Sequence, residues 1–214
     1  MTDDNIPDRL PVLACGKQPP GNGKLCAEQF VDWLVSGMQD LGDHTDHPSC
    51  VHPVLNAVAI AVNDALSDEN RPRMAPLLLR QPGTAMPGLE PGLSLDLARW
   101  AVRRADEYVT ADEYVAAPKT KYATKCVERA TTWLAQATKD PFGPDTDTTL
   151  NDITVVARYA TGAVWDAVFP KSPRILLQFL SDLQDEHARL TGFTPTPIDA
   201  DRYALGVELL GAVR

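Results

Sequence analysis

No stretch of the chain approaches the roughly 18 uninterrupted apolar residues of a membrane span, so no transmembrane helix is expected. The first residues, Met1-Thr2-Asp3-Asp4, are acidic where a secretory signal is basic and then apolar. The expected compartment is therefore the cytoplasm. Four cysteines in 214 residues are too few for a disulfide scaffold, and in a reducing compartment they serve as buried thiols or metal ligands. Phosphate-binding loops of the G-x-x-x-x-G-K and G-x-G-x-x-G kinds are missing. So are the G-x-S-x-G elbow and the H-E-x-x-H helix, and no nucleophile and base pair off by spacing. Strand-like alternation, internal repeats, heptads and low-complexity tracts are lacking too.

What is present is typical of a folded chain. Hydrophobic residues make up 44% and charged residues 23%, which excludes disorder and suits one domain with its own core. The 18 prolines and 13 glycines fall between apolar segments and cut the chain into short elements. The net charge of −9 is uneven, with −8 on residues 1–70, +3 on residues 71–140 and −4 on the rest. An acidic first third argues against a nucleic-acid footprint there, because binding needs phosphate neutralisation.

Residues 1–24, with the tract Pro19-Pro20-Gly21-Asn22-Gly23, read as an irregular N-terminal arm. Residues 25–214 read as a single all-α domain of about seven to nine short helices. Helical spacing of three and four predicts helices over Leu25 to Met38, Pro53 to Leu66 and, broken by prolines, Ser67 to Arg80. A loop is expected over 81–93, then a helix capped by Ser94 and a brief one from Thr110 to Pro118. Further helices are expected from Lys119 to Lys139, from Leu150 to Pro170, from Pro173 to Gly192, and from Asp199 through Leu210. The predicted core includes Leu55, Val58, Val62, Trp133, Ile153, Leu176, Leu180 and Leu183. Cys126 and His187 fall on inward stripes and read as packed side chains. Arg99, Arg103 and Arg104 form a basic ridge open to the acidic first third.

Chemically capable side chains are densest at Asp43-His44-Thr45-Asp46-His47-Pro48-Ser49-Cys50-Val51-His52. Zinc takes four nitrogen or sulfur ligands in tetrahedral array. His47 and Cys50 supply one pair, and Cys26 with either Cys15 or His52 completes a set. The doubling back between the first and second helices is expected to bring Cys26, His47 and Cys50 together. The alternative is that His44 and His52 are solvated loop residues and that Cys26 and Cys50 are merely buried.

The order Asp46-His47-Pro48-Ser49-Cys50-Val51-His52-Pro53-Val54-Leu55, then Asn63-Asp64, Pro82-Gly83-Thr84 and Ala98-Arg99-Trp100-Ala101-Val102-Arg103 resembles a group of uncharacterised proteins from actinobacteria and their phages. Members carry a cysteine and a glutamate upstream of the Asp-His-Pro-x-Cys segment. Here Glu28 follows Cys26 by two positions rather than three. The resemblance implies a host class and no chemistry.

Two functions remain open on the sequence. One is an accessory protein that binds another macromolecule, with a protein partner expected. The other is a zinc-dependent hydrolase or structural zinc protein built on His47, Cys50 and His52, with Asp43, Asp46 or Glu28 as general base.

Overall fold

Pro53–Ala65 (α2) lies at the centre of the molecule, with Leu55, Val58, Ala59 and Val62 fully enclosed. Its apolar residues recur at three and four, and Pro53 opens it where a missing N–H costs nothing. The structure is a computed structural model that describes residues 12–20, 23–36, 44–85, 91–111, 120–139, 146–168 and 172–195. Around α2 stand Ala27–Val35 (α1), the short Ala75–Leu78 (α3), Pro91–Thr110 (α4), Thr120–Lys139 (α5), Thr146–Val168 (α6) and Pro173–Thr191 (α7). A 3-10 turn over Arg71–Met74 leads into α3. The fold is all-α, in one compact domain. The sequence places the helical segments, with ends that differ by a few residues. The expected helices over 110–118 and 199–210 fall largely or wholly outside the described residues.

The helix α6 packs against α5, α4 and α2, while α7 closes the far side against α2 and α4. Apart from Ile153, the enclosed apolar side chains of α6 are small, among them Val156, Ala157, Ala160, Ala163, Val164 and Ala167. Small side chains let neighbouring helix axes come close. Stop signals behave as expected at α7, where Gly192 takes the left-handed conformation (φ 68°) and donates its N–H to Ala188. At α2 the stop is a buried arginine. Arg71 Nε donates to the Asn63 carbonyl at 3.0 Å and Nη2 to the Leu66 carbonyl at 2.6 Å, while Nη1 pairs with Asp68. Carbonyls at a helix end have no partner within the helix, and the guanidinium fork supplies one.

Three expectations need correction. The arm is not irregular throughout: Val12–Leu13 (β1) pairs in parallel with Lys24–Leu25 (β2), with Val12 opposite Lys24 and Leu13 opposite Leu25. Leu13 and Leu25 anchor the pair in the core. Ser94 does not cap α4, which begins at Pro91, so Ser94 sits inside its first turn. Trp133 is not a core residue but is 40% exposed. The inward line of α5 runs through Ala123, Ala130 and Ala137, and Trp133 lies about 60° around the helix from Ala130 at 100° per residue. An added Cβ at Gly162 of α6 would sit 3.9 Å from Cys126 Sγ. The other seven predicted core residues are fully buried.

Candidate functional site

The first turn of α1, the segment 44–52, the turn 81–85 and the C-terminal part of α7 meet in a buried polar junction. Gln29 organises its edge. Its Oε1 accepts from Cys26 N at 3.1 Å and Gln18 N at 2.9 Å, and its Nε2 donates to the carbonyls of Gln18 and His44, both at 3.0 Å. One side chain thus ties the arm, the helix start and the loop, and it uses both ends of its amide. Asp32 fixes the same loop by accepting from Thr45 N at 3.2 Å and pairing with His44 Nδ1 at 3.1 Å.

Glu28 points inward and is fully buried. Gln81, with its amide nitrogen turned to the carboxyl group, lies 2.7 and 3.2 Å from the two oxygens. Burial raises the Glu28 pKa well above the usual carboxylate range, against the smaller lowering by Gln81. The low-dielectric interior disfavours the charged carboxylate there.

His52 is the second buried titratable group, with no exposed surface. It caps α2, and its Nδ1 accepts from Val54 N at 3.2 Å. The ring proton consequently sits on Nε2, which donates to Ser94 Oγ at 3.2 Å. A serine activated by histidine needs the opposite tautomer, in which Nε2 accepts. As arranged, the pair is a structural hydrogen bond. Burial, helped by His187, lowers the His52 pKa to about 3. His187 stacks edge-on at 5.4 Å and donates Nε2–H to the Thr84 carbonyl at 3.2 Å. Thr84 in turn accepts His52 N–H at 3.0 Å through its hydroxyl, which donates to Gln81 O at 2.7 Å.

The candidate metal ligands are distributed around and beyond this junction. Cys15 lies at the surface beside Asp64, with Sγ 3.4 Å from its carboxylate. Cys26 is buried at the start of α1. The backbone N–H groups of Gln29 and Glu28 favour its thiolate, but burial outweighs them and pushes the pKa up to about 11. Cys50 is half-buried, its thiol also raised by burial, and its carbonyl accepts from Gly83 N and Ala85 N at 2.9 and 3.1 Å. His52 has both ring nitrogens engaged. His47 is exposed and meets Asn56 Nδ2 through Nδ1 at 2.8 Å. Among the described residues, no group of three His, Cys, Asp or Glu side chains is placed to hold one metal ion. Asp43 lies outside the described residues. His44 and His52 are both buried, so neither is the solvated loop residue that one reading anticipated.

The basic ridge pairs elsewhere than with the first third. Arg99 meets Asp96 at 2.9 Å, and Arg104 meets Glu107 at 2.6 Å and Asp182 at 3.1 Å.

A different surface is left open on α5. Tyr122 is 59% exposed and Trp133 40%. They are 11 positions apart, which is three turns, so they share a face about 16 Å long. Lys125 and Arg129 lie on that same flank within about 60° of Tyr122, and Lys121 borders it. Arg129 sits 5.9 Å from the centre of the Tyr159 ring on α6, close enough to favour cation and ring. This face is hard to see in the sequence because a tryptophan at position 133 reads as a core residue. The signal was available in the seven-residue recurrence of alanine at 123, 130 and 137. No known protein family, curated protein or solved structure matches the chain. No helix among the described residues is long and apolar enough to cross a membrane.

Proposed function

We propose that the protein acts by binding another protein, and that the partner presents an acidic surface with apolar contacts to the exposed flank of α5. The carrying observation is the exposure of Tyr122 and Trp133 together on one helical face with Lys125 and Arg129. Tryptophan, tyrosine and arginine are the side chains that most often dominate binding energy at protein interfaces. Lys121, Lys125, Glu128, Arg129 and Lys139 give α5 a charge of +3 in a chain of −9, so this flank attracts acidic partners that the rest of the surface repels. The same chain charge disfavours nucleic acid as the occupant. The resemblance to actinobacterial and phage proteins makes an actinobacterial host the place to look.

The test is photo-crosslinking with the full chain. Benzoylphenylalanine replaces Tyr122 in one variant and the exposed Arg174 on α7 in another, and both are irradiated in an actinobacterial lysate. The expected result is a discrete protein adduct from position 122 that weakens with added salt and is missing from position 174. Equal labelling from both positions, or adducts to nucleic acid, would overturn the reading.

A further inference from the structure

A second recognition feature lies away from α5, between the loop that carries His47, the first turn of α2 and the start of α6. A pocket of about 390 Å3 opens there, with His47, Asn56, Asn151, Thr154 and Arg158 supplying its polar wall. That volume is within the range of small-molecule sites. Its lining is unusual in what it leaves unused. Arg158 is exposed, and no carboxylate among the described residues pairs with it. Asn56 is 6% exposed, and its buried Oδ1 has no hydrogen-bond partner.

The remaining groups narrow the ligand. Thr154 donates its hydroxyl proton to the Asn151 carbonyl at 2.8 Å, so toward the pocket its oxygen is an acceptor. The Asn151 amide offers both a donor and an acceptor. Asn56 Nδ2 donates to His47 Nδ1 at 2.8 Å, which leaves the His47 proton on Nε2. The nearby acid, Asp46, is 4.0 Å from that Nε2 and 3.5 Å from Lys17 Nζ. One fixed planar cation with five donors suits a carboxylate or phosphate, and several acceptors beside it suit donors on the same molecule. We infer that this pocket binds a small oxyanion ligand, a carboxylate or phosphate that also carries hydroxyl or amino groups, with Arg158 holding the anionic end and Asn151 and Thr154 reading the donors.

The test is a titration of 15N-labelled full-length protein with inorganic phosphate and, separately, with glycerate, followed by amide shifts. Saturable shifts confined to Asn56, Asn151, Thr154 and Arg158 are expected with at least one probe, and the responding probe tells phosphoryl from carboxylate recognition. Arg158→Gln should weaken that binding by at least about tenfold, while Arg103→Gln on α4 should leave it unchanged. Asn151→Ala should weaken the binding of glycerate, whose two carbon-borne hydroxyl groups are the donors that Asn151 would read. Absence of saturation with both probes up to roughly 20 mM, or equal binding by wild type and Arg158→Gln, would overturn the inference.

Discussion

Acid should destabilise this protein through His52 as pH falls below about 6.5. The ring is enclosed, its Nδ1 is committed to Val54 N and its Nε2 to Ser94, so protonation in the folded state means burying a charge. Its folded pKa is about 3 against a reference of 6.5. The unfolded chain therefore binds the proton more readily. The stability contributed by the neutral ring is complete above pH 6.5 and is lost progressively as pH falls toward about 3. At pH 5 the loss from this group is about 2 kcal/mol, a large share of the stability of an ordinary domain. His187 is lowered in the same direction, mainly by burial, and adds to it. Glu28 acts with the opposite sign, so the wild-type profile alone does not isolate His52. The comparison that does is with His52→Asn, which keeps a good helix cap and removes the titration. Urea denaturation of both proteins at pH 7.5 and pH 5.0 gives two differences in free energy. Wild type should lose about 2 kcal/mol more than His52→Asn over that interval. Parallel losses in the two proteins would refute the account of His52 as a buried neutral ring.

Glu28→Gln should stabilise the protein above neutral pH. The raised folded pKa of Glu28 makes its favourable contribution complete below its unfolded value and lost as pH rises through the folded one, so the advantage of the variant in urea denaturation should grow with pH. Leu180→Ala, at a fully buried site, should cost about 2–5 kcal/mol, and a cost below about 1 kcal/mol would place that face of α7 near solvent. Gly162→Ala should raise the melting temperature, with a gain of up to about 1 kcal/mol, because the helix favours alanine and the new Cβ meets Cys126 Sγ at an ordinary 3.9 Å. Gly192→Ala should lower the melting temperature by the strain of the left-handed position at the end of α7.

Helix positions were legible because proline and glycine mark their ends and apolar residues mark one face. Pro53 at the start of α2 and Gly192 after α7 are the plainest cases. Facing was legible where the inward residues are large, as along Leu176, Leu180 and Leu183. It failed on α5, where the buried stripe is alanine and the large aromatics point outward. Size-weighted periodicity reads such a helix with the wrong side inward. The buried polar junction was only half legible. The density of histidine and cysteine near residue 50 drew attention to the right region. The partners that decide its chemistry, Gln81, Thr84, Ser94 and His187, come from three other segments and carry no spacing signal. Gln29 belongs to no recognisable motif, although it ties three backbone segments.

If the α5 flank docks a partner, a photo-crosslinking residue at position 125 should capture it, and the yield of the protein adduct can be measured with and without Tyr122→Ser and Trp133→Ser together. Both side chains are exposed, so the double variant should keep the helical circular dichroism spectrum of the parent while the adduct falls by at least about tenfold. An undiminished adduct from a folded double variant would contradict the claim.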